Sequence, residues 1–141
     1  MADVKTILVP VDFSQHTDKL VEYAAEFAEK IGANLSLINV VDNSTGFGFA
    51  ALHKFEGDMK KDMEAKIAGL VDQYKALCGS SENTVVIGDT VDSIVAAAKN
   101  CDMVIIATHG YKGLDKILLG SVAERVLKAS PCPVVVFNPY K

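Results

Sequence analysis

Residues 103–137 read MVIIATHGYKGLDKILLGSVAERVLKASPCPVVVF, and three elements can be parsed from them. Met103 to Ala107 is a short apolar strand, Ser121 to Ala129 a helix, and Val134 to Phe137 a second apolar strand. Two buried strands joined through a helix call for a right-handed parallel crossover, because a tight turn can only join antiparallel strands.

The same alternation runs back to the start of the chain. Thr6 to Val11 (TILVPV) is a continuous β-branched run, the mark of a strand covered on both faces. Ser14 then offers an N-cap, and Leu20, Ala24, Phe27 or Ala28 and Ile31 recur at helical spacing until Gly32 closes the segment. Leu35 to Val41 (LSLINVV) reads as a strand. Met59, Met63, Ile67, Val71, Tyr74 and Cys78 form a stripe on a long charged helix ended by Gly79. Thr84 to Ile87 is a further strand, and Ile94, Val95, Ala97 and Ala98 lie on a short helix. Asn43 to Phe55, containing Gly together with Phe47, Phe49 and Phe55, reads as an unusually long loop, either functional or locally packed. The expectation is one α/β domain over residues 1–141, a doubly wound parallel sheet with helices on both faces. Ligands of such sheets collect beyond the carboxyl ends of the strands, where the strand order reverses.

Composition narrows the function. Of 141 residues, 50% are hydrophobic and 23% charged, which is enough apolar material for one core. A formal net charge of -4 without a Lys/Arg cluster argues against a nucleic-acid partner. No apolar run is long enough for a membrane span or a signal peptide, so a cytoplasmic location is expected. Cys78, Cys101 and Cys132 fit neither a disulfide framework nor a zinc site, and read as small apolar residues.

The chemistry concentrates between Ala107 and Glu124. Gly120 and Ser121 open a helix, whose unpaired N–H groups and partial positive charge favour a phosphate. Ser121 and Glu124 also spell a capping box, which would account for the same residues without a ligand. Lys112 and Lys116 could add positive charge or merely be solvated. Neither G-x-x-x-x-G-K-[ST] nor G-x-G-x-x-G after the first strand is present. His109 has no visible nucleophile or orienting carboxylate, and His16 and His53 are too scattered for a metal site.

From ILVPVDFS near the start to GSVAERVLKASPCPVVVF at the end, the chain resembles a small universal stress protein. The resemblance implies a five-stranded parallel sheet of order 3-2-1-4-5, dimerised through the last strand. It also implies an ATP site of the pattern G-x-x-G, nine residues, G-[ST]. Gly110, the nine residues Tyr111 to Leu119, Gly120 and Ser121 match, whereas Ala107 replaces the first glycine. An alanine there is tolerable at negative φ and harmful at positive φ. Carried over residue by residue, Pro10, Val11 and Asp12 flank base and ribose, and Val40 packs on the adenine. Ile106 and Ala107 line the pocket, while Gly110, Gly120, Ser121 and Val122 wrap ribose and phosphates. Asp12, an acceptor when ionised, suits ribose hydroxyls, though it can equally be a turn residue beside Ser14. Mg or Mn would arrive on the phosphates. Val134, Val135, Val136 and Phe137 would otherwise expose an apolar sheet edge, which favours a homodimer. The expected function is thus a nucleotide-dependent regulatory dimer with an unidentified protein partner and at most weak ATP hydrolysis. A nucleotide-free dimeric scaffold is the alternative, and Ala107 is the residue that favours it.

Overall fold

A computed structural model describes residues 3–43, 49–108 and 119–140, the side chains of 49–55 excepted. In chain order the elements are β1 (Thr6–Pro10), α1 (Thr17–Ile31), β2 (Asn34–Asp42), α2 (Phe49–Gln73), α3 (Lys75–Cys78), β3 (Thr84–Gly88), α4 (Thr90–Ala98), β4 (Met103–Ala107), α5 (Ser121–Ala129) and β5 (Val134–Phe137). The strands form one five-stranded sheet of order β3-β2-β1-β4-β5, with every neighbouring pair parallel. The chain therefore winds outward from β1 to β3 and returns to the other side of β1 at β4. The order reverses between β1 and β4, as the resemblance implied.

Strand periodicity of two divides the core into two layers. Ile7 and Val9 of β1, Leu35, Leu37 and Val41 of β2 and Ile105 of β4 face α1, α2 and α3, meeting Leu20, Ala24, Ala28, Ile67, Leu70 and Cys78. The alternate positions Leu8, Ile38, Val104 and Ile106 face α4 and α5, meeting Val91, Ile94, Ala98, Ala123 and Val126. Helices on both faces explain why these strands read as continuous apolar runs. Asp102 ties the start of β1 to that of β4, its Oδ2 accepting from the N–H groups of Lys5 (2.9 Å) and Thr6 (3.0 Å).

The element boundaries depart from the sequence reading in three places. Ser14 is not the cap of α1: the helix begins at Thr17, with His16 at the cap position and no side-chain cap bond. Ser14 instead sits in a preceding turn, its C=O accepting from Thr17 N–H at 3.1 Å. Phe13 holds φ +57°, a left-handed conformation costly for a bulky residue, and this delays the helix. The expected loop 43–55 is helical from Phe49 onward; Ala50, Ala51, Leu52 and Lys54 are good helix formers. Finally, the long helix is interrupted at Tyr74, at φ -113° and ψ 38°, so the stripe continues on the separate turn α3. Gly32 closes α1 as expected, at φ 74° with its N–H donated to Ala28 C=O.

All three cysteines are free thiols. Burial pushes the Cys78 thiol up to about 11. Cys101 is likewise pushed up to about 11, by burial first and then by Cys132, Asp102 and Glu82. Thiols so far from ionisation behave as small apolar groups.

Candidate functional site

At the carboxyl end of the sheet, where the order reverses, lies a cavity of about 240 Å³. Pro10, Val11 and Asp12 line it from β1 and its exit, Ile38, Asn39 and Val40 from β2, and Ile106 and Ala107 from β4. Thr90 and Ile94 of α4 and Val122 of α5 close one side, and Ser14, His16, Thr17 and Leu20 the other. Pro10, Val11, Asp12, Val40, Ile106, Ala107 and Val122 thus line one cavity. Gly120 and Ser121 immediately precede Val122 at the start of α5. Gly110, together with His109, Lys112 and Lys116, lies outside the described residues, as do Phe47 and the side chains of Phe49, His53 and Phe55.

Parity in β2 shows which backbone groups the cavity receives. In a parallel ladder, the N–H and C=O of one residue point to one neighbour and those of the next residue to the other. Asn34 N–H donates to Lys5 C=O (2.9 Å) and Ile38 C=O accepts from Val11 N–H (2.8 Å), so even positions face β1. Asn43 N–H donates to Gly88 C=O (3.2 Å), so odd positions face β3. Val40 therefore turns both its N–H and its C=O toward β1, which has already ended at Pro10. A donor and an acceptor are left side by side at the cavity.

Of the three helices that start beside the cavity, α1 has no side-chain cap bond, and the other two differ from each other. The first turn of α4 is closed, because Asp89 accepts from Asp92 N–H at 2.9 Å. The first turn of α5 is not: its cap residue is Gly120, at φ -61° and ψ 151°, with no side-chain cap bond. This corrects the capping box. Ser121 is the first helical residue rather than the cap, one position too late to bond back to the third N–H. Glu124 pairs instead with Lys128 at 3.1 Å. Among the described residues, no side chain takes the N–H groups that open α5.

Asp12 is exposed, its Oδ1 accepting from Ser14 N–H (2.9 Å) and Thr17 Oγ1 (3.4 Å). Both the turn role and a lining role therefore hold. His16 turns its Nε2 to the Tyr140 hydroxyl at 3.0 Å rather than to Ser14. Ala107 lies within β4 and has no positive φ; its methyl is buried. The conformational objection to alanine at this position is thereby removed. Among the described residues, no group of three His, Cys, Asp or Glu side chains could hold a metal ion, and no helix is long and apolar enough to cross a membrane.

The sequence reading missed Asn39, Thr90 and Thr17. Asn39 had a legible signal: it is the one amide in the apolar run Leu35–Val41, near the carboxyl end of the strand. Thr90 enters through the fold, donating to Asp42 Oδ2 at 2.8 Å across the β2–β3 exits.

A parallel doubly wound sheet with a cavity at its switch point and an uncapped helix beside it defines an α/β domain with a candidate ligand site. The chain belongs to the universal stress protein family, whose family model matches residues 3–138. It is 33% identical over 142 residues to a universal stress protein of Methanocaldococcus jannaschii, covering 97% of this chain and 84% of that protein. Among solved structures it is similar to the universal stress protein UspA of Lactobacillus plantarum, with TM-score 0.82, 22% identity and coverage of 97% and 99% of the two chains. It is also similar to a universal stress protein crystallised in complex with cAMP, with TM-score 0.71, 21% identity and coverage of 98% and 99%.

Proposed function

We propose that the chain binds ATP, or another adenine nucleotide, in the switch-point cavity and acts as a nucleotide-dependent regulatory dimer in the cytoplasm. The uncapped amino end of α5 beside the cavity carries this reading, because free N–H groups at a helix start favour phosphate oxygens. The volume of about 240 Å³ lies just under the range of roughly 300–1,000 Å³ for drug-sized ligands. It suits a nucleoside whose phosphates run outward. Val40 offers an N–H to adenine N1 and a C=O to its amine, and Ile106, Ala107, Val11 and Ile38 supply the apolar faces. Asp12 stands at the rim as an acceptor for ribose hydroxyls. Gly120, Ser121 and Val122 would take the phosphates, with Gly110 joining them. Mg or Mn would come bound to the triphosphate. The cAMP complex of a related protein supports an adenine nucleotide as the ligand class.

Hydrolysis, if any, would be slow and carried by a positioned water, since His16 is engaged by Tyr140. The nucleotide-free scaffold rested on Ala107, whose extended backbone and buried methyl take most of the force from it. Dimerisation is proposed through β5, an edge of the sheet whose residues are all half-buried.

Native mass spectrometry of the purified protein, paired with calorimetric titration by ATP, tests the reading. A dimer carrying adenine nucleotide, or binding added ATP, is expected. A protein without nucleotide that gives no heat with millimolar ATP would leave the scaffold.

A further inference from the structure

Asn39 is buried, 5% exposed, in a strand whose other buried residues are apolar apart from Ser36, whose hydroxyl donates to Glu82 C=O. A buried amide costs stability unless its hydrogen bonds are made, yet the Asn39 Oδ1 has no partner among the described residues. Its Nδ2 donates to Val11 C=O at 2.8 Å. That carbonyl is the acceptor which, had the β1–β2 ladder run one step further, would take Val40 N–H. The ladder shows this directly: Val11 N–H already donates to Ile38 C=O at 2.8 Å, so the next rung joins Val11 C=O to Val40 N–H.

We infer that Asn39 is a positioning residue that occupies Val11 C=O, blocks this last rung and so holds the Val40 N–H and C=O open for the base of a ligand. The inference rests on the adenine-nucleotide reading for the identity of that base, but not for the blocked rung. An apolar side chain in place of Asn39 would release Val11 C=O, whose nearest unclaimed donor is Val40 N–H. The two strands would then zip one rung further and close the recognition edge. The unpaired Oδ1 follows from the same arrangement, since the amide is committed to the rung and its oxygen is left behind.

Hydrogen exchange followed by NMR on the nucleotide-free protein reads the rung itself. In the parent, the Val40 amide should exchange at least roughly tenfold faster than that of Ile38, which the ladder bonds. In Asn39→Leu, which keeps the branching at Cγ without a donor, Val40 should slow by about tenfold or more while Ile38 is unchanged. Asn39→Val, a better strand former, repeats the test should the leucine variant fail to fold. ATP titration of the same proteins should show affinity weakened by about tenfold or more, with melting temperature kept or raised. A Val40 amide already as protected as Ile38 in the parent, or unmoved by either substitution, overturns the inference. So does an unchanged affinity for ATP in a variant whose Val40 amide has become protected. If the parent itself binds no ATP, the proposed function fails, and the exchange data still decide whether Asn39 blocks the rung.

Discussion

Substituting Gly120 with valine separates the phosphate cradle from the rest of the site. Gly120 caps α5 at φ -61° and ψ 151°, within the region open to every L-residue, so valine adds no backbone strain. The folding cost reduces to the poorer capping preference of valine, about 1 kcal/mol. In a chain of 141 residues that lowers the melting temperature by about 3 °C. The binding cost is larger. In the proposed site, a branched Cβ at the helix entrance stands where phosphate oxygens would pass to reach the first N–H groups. Losing two charge-assisted bonds of about 1.5 kcal/mol or more each weakens ATP by roughly a hundredfold. Adenosine never reaches the cradle, and its affinity should stay within about threefold of the parent's. Calorimetric titration with ATP and with adenosine, run beside thermal unfolding by circular dichroism, gives all three numbers. A folded variant that binds ATP as tightly as the parent, or loses adenosine as steeply as ATP, refutes the assignment of α5 to the phosphates.

Ala107→Gly should leave ATP affinity within about threefold and lower stability by roughly 0.5–1 kcal/mol, because the alanine fits its strand and its buried methyl contributes to the core; titration and thermal melts check both. Gly32→Ala should destabilise by about 1–2 kcal/mol in denaturant titrations, since φ is 74° although nothing lies within 4 Å of the added methyl. Burial raises both Cys78 and Cys101 from 9.0 to about 11, so at pH 8 the native protein should alkylate at these thiols roughly a hundredfold slower than the unfolded chain. Because the unfolded thiols ionise first, the same shifts hold stability below pH 9 and withdraw it as pH rises toward 11, which urea titrations across that range would show. Val136→Pro should convert a dimer to a monomer by light scattering: Val104 N–H donates to Pro133 C=O and Thr108 N–H to Phe137 C=O, so odd positions of β5 face β4 and Val136 turns its N–H to the open edge.

Most of the fold was legible because the strands are buried on both faces. MVIIA, TILVPV and VVVF carry no alternation to confuse with a helix, and β4, α5 and β5 have the bounds read from the sequence. The misses arose where tertiary geometry overrode local propensity. Ser14 has the chemistry of a cap, but Phe13 at φ +57° spends the next residues in a turn. Met59 to Cys78 keeps one apolar stripe, and periodicity alone does not reveal that Tyr74 leaves the helical region midway along it. Ser121 and Glu124 match a capping box at the right spacing, yet the frame is set by Gly120, whose extended ψ places the helix start one residue earlier than the motif requires.

The candidate site was legible only as far as side chains announce themselves. Pro10, Ile106 and Ala107 end strands and Val11 and Asp12 follow one, and strand ends are where a doubly wound sheet gathers its ligands. The recognition edge at Val40 is made of backbone, and backbone has no letter in the sequence. It exists because β1 ends at Pro10 while β2 runs on to Asp42, and because Ile38 rather than Asn39 pairs with Val11. A register shift of one residue would turn the Val40 N–H and C=O toward β3 and its side chain to the opposite face of the sheet, leaving the cavity no donor and acceptor pair to tell one base from another. Specificity in the proposed site therefore depends on the relative lengths and register of two strands. Asn39, the one amide in the run Leu35–Val41, is where that dependence surfaces in the sequence.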